Sequence, residues 1–203
     1  MRIGLTGAQG VGKTTLARKL SEETKLPLIE EQARVVAREM DIDRPAVLRG
    51  RHKLSREFQW RCLRYQIGKE DSLNNFIADR TVIDNAVYWI KWRAWNSSSA
   101  ENLAYYRRCE VQARKYDLVI YVRPEIPLVA NGFRSTNPTY QQEMDWLIRT
   151  VLFGLVSREK ILIVSGGFKE RMDRVLDWIR QQNHAHNEPS YGTPTTSHIH
   201  GFH

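Results

Sequence analysis

The sequence predicts an α/β fold, a parallel sheet with helices on both faces, on three observations. Short apolar runs at Arg2 to Thr6, Phe76 to Asp79, Asp117 to Val122 and Lys160 to Ser165 alternate with longer stretches whose apolar residues recur at helical spacing. The first of these runs passes into a glycine-rich turn and then a helical pattern, the order of a strand-turn-helix unit. The chain has 203 residues, 41% hydrophobic and 27% charged, enough for one domain with its own core. Those proportions exclude a disordered chain and a disulfide-stapled miniprotein.

In chain order, Arg2 to Thr6 reads as a buried strand, Gly7 to Gly12 as the turn, and Thr14 to Thr24 as a helix with Leu16 and Leu20 on one face. Pro27 opens a short strand, Leu28 to Glu31, followed by a helix from Gln32 to Met40. Asp41 to Lys53 carries Pro45 and Gly50 and reads as a loop. An amphipathic helix is expected from Leu54 to Leu73, ended by Asn74-Asn75. The strand Phe76 to Asp79 precedes a helix from about Asp84 to Trp95, and the break Asn96 to Ser99 precedes another from Ala100 to Tyr116. After the strand Asp117 to Val122, the stretch Arg123 to Thr139 holds Pro124, Pro127, Gly132 and Pro138, too many breakers for one element, and is a candidate mobile lid. Tyr140 to Ser157 is a helix, Lys160 to Ser165 the fifth strand and Glu170 to Gln182 a closing helix. The domain is therefore placed at 1–182. Residues 183–203, polar and holding five of the six histidines, read as a disordered tail.

The termini and composition carry neither a signal-peptide pattern nor an apolar run long enough to span a bilayer, so a cytoplasmic protein without membrane contact is expected. Cys62 and Cys109 are isolated and read as reduced packing residues. The balance of 31 Lys+Arg against 23 Asp+Glu gives a net charge of +8. Residues 34–64 hold nine of the basic side chains, Arg44, Arg49, Arg51 and Lys53 among them, against four acids. Such a surface suits a polyanion such as DNA, or merely a solvated face.

The most specific signal is Gly7-Ala8-Gln9-Gly10-Val11-Gly12-Lys13-Thr14, which fits G-x-x-x-x-G-K-[ST] at the first strand-to-helix junction. Glycines let the backbone curl around a phosphate, with N–H groups and a helix N-terminus facing the negative charge. Gly7, Gln9, Gly10, Val11, Gly12, Lys13, Thr14 and Thr15 are thus the candidate nucleotide-binding residues. Lys13 is placed on the β- and γ-phosphates, and the Thr14 hydroxyl on Mg²⁺. A carboxylate at the end of a neighbouring strand is needed beside the metal. Asp79 is preferred over Asp84, which can instead cap a helix beginning at Asn85. Arg80 follows Asp79 and is a candidate for phosphate or acceptor contact.

Of Glu30 and Glu31, neighbours in an extended segment, only one faces the cleft. Glu31 is chosen as the base that takes a proton from an acceptor hydroxyl, with Arg34 one turn on as its partner or an acceptor contact. Arg134 in the candidate lid is the arginine chosen to close over the transferring group, and Arg149 is second choice. Tyr88, Trp89, Trp92, Trp95, Tyr105 and Tyr106 form an aromatic cluster, mostly core, of which one member can stack on an acceptor ring.

With GAQGVGKTT, the Glu31-Gln32-Ala33-Arg34 segment, FIADR and the strand-to-lid stretch DLVIYVRPEIPLVANGFRS, the sequence resembles the P-loop kinases of the ribosylnicotinamide kinase type, the NadR-like AAA domain group, over roughly residues 1–180. Asn131 stands where that group carries an acid before the lid glycine. The resemblance implies a P-loop kinase fold with a five-stranded parallel sheet, ATP and Mg²⁺ as cofactors, and an acceptor hydroxyl near Glu31 and Asp79. Relatives act on free nucleosides and nucleotides. Similar phage proteins phosphorylate 5-hydroxymethyluracil already in DNA, so the acceptor is expected to be nucleoside-like, either free or as a hydroxymethylated base in DNA. A regulatory ATPase without a small acceptor is the alternative. The oligomeric state is not set by these patterns.

Overall fold

Strands β1 (Arg2–Thr6), β2 (Leu28–Ile29), β3 (Phe76–Asp79), β4 (Leu118–Val122) and β5 (Ile161–Val164) pair in parallel in the order β2-β3-β1-β4-β5. The computed structural model describes residues 1–125 and 137–187. Every residue of β3 and β4 is buried, the pattern of strands covered on both faces and the reason they read as unbroken apolar runs. Among the described residues seven helices supply the cover: α1 (Lys13–Thr24), α2 (Gln32–Glu39), α3 (His52–Asp71), α4 (Val82–Trp92), α5 (Ser99–Ala113), α6 (Pro138–Leu155) and α7 (Phe168–Asn187). Helices α1 and α7 pack on each other, while α3, α4, α5 and α6 form a second group.

The aromatic cluster divides as its spacing suggests. Trp89 and Tyr105 are fully buried and stack with centroids 4.1 Å apart, and Trp60 meets both edge-on. This ties α4 to α5 and α3. A smaller core of Val36, Ala37, Ile42, Phe58 and Cys62 fastens α2 to α3 and forms the base of one wall of the cleft. Burial pushes the thiols of Cys62 and Cys109 well above the usual range, and both are free.

Most helix ends shift by one to three residues from the sequence reading, α3, α5 and α6 among them, and several boundaries bear on the site. Strand β2 ends at Ile29, and Glu31 is instead the N-cap of α2. Helix α4 starts at Val82, two residues before the expected Asp84, so Asp84 lies inside it and not ahead of a start at Asn85. Thr81 Oγ1 accepts from Ile83 N, and Asp84 Oδ2 accepts from Thr81 N at 3.0 Å, a capping box already written in the spacing Thr81-x-x-Asp84. The same helix stops at Trp92, with a short 3-10 turn at Ala94–Asn96 after it. Another 3-10 turn, Pro45–Leu48, lies within the expected loop. Helix α7 runs to Asn187, past the expected end at Gln182, because the first helix breaker in that stretch is Pro189. Among the described residues no helix is long and apolar enough to cross a membrane.

Candidate functional site

The glycine-rich turn leaves the carboxyl end of β1, where open α/β sheets bind ligands. Gly7, Gly10 and Gly12 have φ of 146°, 79° and 89°. A Cβ on Gly7 would lie 2.5 Å from the Val122 carbonyl oxygen, so this turn closes on β4 only without a side chain. Lys13 is buried, and its ammonium donates to the carbonyls of Gly7 and Ala8, both at 2.6 Å. It is thus held over the concave face of the loop.

Thr14 Oγ1 donates to Asp79 Oδ2 at 2.6 Å. The sequence preference for Asp79 agrees with this geometry, since Asp79 ends β3 beside β1 and reaches the start of α1. Asp84 does otherwise: one oxygen serves the Thr81 cap and the other accepts from Arg80 Nη1 at 2.7 Å. Thr15 is exposed at the first turn of α1.

Glu31 and Arg80 form the buried centre. Arg80 Nε donates to Glu31 Oε1 at 2.6 Å, and both side chains are under a tenth exposed. Arg34 Nε donates to the other Glu31 oxygen at 2.8 Å from a side chain that is 45% exposed. Burial opposes the charge on Arg80, but Glu31, with Tyr88, Asp84 and Asp79, outweighs it and holds the guanidinium well above its usual pKa. Its backbone has φ of 110°, a region that a non-glycine residue rarely occupies and that often marks a functional position. The Arg80 guanidinium also lies 5.5 Å from the centre of the Tyr88 ring.

Two cavities meet at Glu31. One, of about 640 Å³, is walled by α2, α3, α4 and the 3-10 turn Pro45–Leu48, with Gln9, Glu31, Arg80, Tyr88, Trp92 and Tyr140 on its lining. The other, of about 700 Å³, is lined by Thr14, Glu31, Arg34, Arg38 and Asp79. The expected site residues are therefore gathered but divided. Thr14, Asp79 and Arg34 flank Glu31 on one side, Arg80 and Asp84 flank it on the other, and Lys13 stays on the glycine-rich turn. Arg134, with Asn131 and Gly132 of the candidate lid, lies outside the described residues, as do His198, His200 and His203.

The sequence reading missed several residues that shape the site. Arg171 on α7 is 2% exposed, and its Nη1 donates to the Val11 carbonyl at 2.7 Å. Gln141 on α6 donates to the Gln9 carbonyl at 2.8 Å. Both brace the glycine-rich turn from helices far along the chain. Both amide atoms of the Gln9 side chain are buried on the cleft lining without a hydrogen-bond partner among the described residues. Asp145 accepts from Tyr121 Oη at 2.6 Å, and burial raises its pKa against the pull of Arg149, Arg123 and Lys13. At the outer end of the cleft lies Arg93, which carries no sequence signal at all.

Solved structures share this architecture. A deoxyadenosine kinase from M. mycoides, solved with dCMP and dCDP, superposes with a TM-score of 0.64 at 17% identity, covering 90% of this chain and 100% of its own. NadR in complex with NR gives 0.67 at 19% identity, covering 88% of this chain but 50% of NadR, so this chain corresponds to about half of that protein. Thymidylate kinase from Candida albicans gives 0.59 at 14% identity, with 89% and 91% covered. At these identities the likeness is one of fold, and the fold is the α/β P-loop kinase fold. No curated protein matches the sequence significantly. The family model for the AAA domain AAA_28 matches residues 2–171, and the chain belongs to that family.

Proposed function

We propose that the protein is an ATP- and Mg²⁺-dependent kinase that transfers the γ-phosphate to a hydroxyl of a nucleoside-type acceptor seated in the 640 Å³ cleft. The observation that carries this reading is the position of Glu31. It lines both cavities, with the Thr14–Asp79 pair on one side and Arg80 on the other. A carboxylate there reaches both an acceptor and the phosphate being transferred.

In this reading Glu31 accepts the proton of the acceptor hydroxyl as that oxygen bonds to the γ-phosphorus. The bond from phosphorus to the bridging oxygen breaks, and ADP leaves. Arg80 fixes the orientation of Glu31, and Asp84 in turn fixes Arg80. Lys13 lies over the loop where the β- and γ-phosphates are cradled and offsets the charge that develops there. The Thr14 hydroxyl and the Asp79 carboxylate are hard oxygen donors of the kind Mg²⁺ takes alongside phosphate oxygens. When bound, that ion would neutralise charge on the transferring group. Arg134 is assigned to the transferring group and Arg34 to the acceptor rim.

The test is to incubate the protein with Mg²⁺ and γ-labelled ATP in the presence of nucleosides, nucleotides, unmodified duplex DNA, or duplex DNA carrying 5-hydroxymethyluracil. Label on a free acceptor, absent with Lys13→Ala, is the expected result. Label on the modified duplex alone would identify the acceptor as a base in DNA and give the exposed arginines around the cleft a role in binding it. ATP hydrolysis with no labelled acceptor would overturn the reading in favour of a regulatory ATPase.

A further inference from the structure

We infer that the cleft carries a phosphate subsite at its outer end, built on Arg93, so that the acceptor bears a phosphate remote from the hydroxyl that reacts. This deepens the proposed transfer reaction and rests on it for the identity of the cleft.

Arg93 follows the last residue of α4, is 2% exposed, and lines the same cleft as Arg80. Both arginines are buried, but they are differently provided for. Arg80 is held by the carboxylates of Glu31 and Asp84. Arg93 instead meets a histidine ring and a backbone carbonyl: Nη1 lies 3.2 Å from His52 Nδ1, and Nη2 donates to the Asn96 carbonyl at 3.3 Å. Its Nε is buried without a partner, and no described carboxylate forms an ion pair with it. Glu101 is the acid whose charge reaches it, but that carboxylate accepts from Trp60 Nε1 at 2.8 Å and from Arg56. A buried guanidinium left without a carboxylate partner is costly unless an anion completes it.

The surroundings favour an anion as well, since Arg44 and Arg49 line the same cleft. Trp95, 70% exposed, meets His52 edge-on at 5.5 Å and stands at the same end of the cavity. A phosphate matches the open Nε–H, because its oxygens take several donors of a guanidinium fork at once. Distance separates this anion from the reacting one. The 11 residues of α4 span about 16 Å at the rise of an α-helix, from the Arg80–Asp84 end to Arg93. The phosphate at Arg93 is therefore part of what the acceptor is, not the group being transferred.

The phosphate of a free mononucleotide and the phosphodiester of a polynucleotide present the same chemistry. Binding to the full chain, with MgADP saturating the nucleotide site, is read by tryptophan fluorescence. The ligands are the four deoxynucleosides, their 3′- and 5′-monophosphates, and the dinucleoside monophosphates. For the base bound best, one monophosphate should bind ten- to hundredfold more tightly than its nucleoside, the range of a charge-assisted hydrogen bond. Arg93→Gln should bring that ratio below about threefold, and Arg93→Lys, which keeps charge but loses the fork, should bring it to an intermediate value. If a dinucleoside monophosphate matches the mononucleotide, the source is a polynucleotide; if only the mononucleotide gains, it is a free nucleotide. Equal binding of nucleosides and monophosphates by the wild type overturns the subsite. So does an unchanged ratio in Arg93→Gln or, should that variant fail to fold, in Arg93→Lys. Failure of the transfer reading looks different: no acceptor is labelled from γ-labelled ATP, while the binding ratio and its loss in the variants persist.

Discussion

Glu31→Gln separates the two tasks assigned to Glu31, because the amide keeps the volume and loses the charge. In the native protein one oxygen accepts from buried Arg80 at 2.6 Å and the other from half-exposed Arg34 at 2.8 Å. Losing a buried hydrogen bond to a charged group costs about 1.5–3 kcal/mol, and the exposed pair adds about 0–1 kcal/mol. Asp84 remains to hold Arg80, which keeps the total near these sums, about 2–4 kcal/mol. For a chain of this length that lowers the melting temperature by about 4–16 °C. Loss of the base should independently lower kcat by about 10²–10⁴. Circular dichroism melts give the first quantity. ADP release, measured well below the melting temperature of the variant, gives the second. A melt unchanged within 1–2 °C would refute the buried ion pair as a stabilising contact, and a kcat within about threefold of wild type would refute Glu31 as the base.

Three other perturbations test separate parts of the framework. Gly7→Ala forces a Cβ to within 2.5 Å of the Val122 carbonyl at φ of 146°. Strain of about 1–3 kcal/mol should appear in the melting temperature, with ATP affinity down at least about tenfold by calorimetry, and normal affinity would show that the loop can relax away from β4. Arg171→Gln removes the brace on the Val11 carbonyl and should raise the KM for ATP by about 10–100-fold; a change under twofold would make Arg171 a packing residue only. Glu70, fully buried, accepts from Gln66, Tyr116 and Gln112, and burial raises its pKa above the ordinary value of 4.5. The folded state therefore binds this proton more tightly than the unfolded state, so its contribution to stability is greatest at low pH and falls as pH rises from about 4.5 through the folded pKa. The urea stability of wild type minus that of Glu70→Gln should decline with pH across that window, and a flat or rising difference would sink the assignment.

What the sequence showed and what it hid follow one physical line. Strands β1, β3 and β4 were legible because burial on both faces demands continuous apolar runs. The glycine-rich turn was legible because its geometry demands particular residues. The place of Asp79 was legible because it ends such a strand. Strand β2 was read too long because Glu30 and Glu31 follow its apolar pair without a breaker, and the start of α4 was misplaced although Thr81 and Asp84 announced it. Arg171, Gln141 and Arg93 were missed for a different reason. Each acts on a backbone or cavity assembled from distant segments, Arg171 on a carbonyl 160 residues earlier, so no local pattern marks it.

The structure also changes the meaning of the basic excess. Within residues 34–64, Arg34, Arg56 and Arg61 are each paired with a carboxylate, namely Glu31, Glu101 and Glu57. Arg44 and Arg49 instead line the cleft, at the side where Arg93 is buried without an acid. Low-dielectric walls focus such a field into the cavity rather than spreading it over the surface. In the proposed reading the transfer chemistry and the choice of acceptor consequently rest on different parts of the chain. Lys13, Thr14, Glu31 and Asp79 stand in or just beyond the turns at the strand ends, where the sheet fixes them. The cleft walls belong to α3, α4 and the turn at Pro45–Leu48, which the smaller core and the Trp89–Tyr105 stack hold. Residues on those walls can change without disturbing the proposed catalytic line, which is how one fold can serve acceptors as different as a nucleoside and a nucleotide.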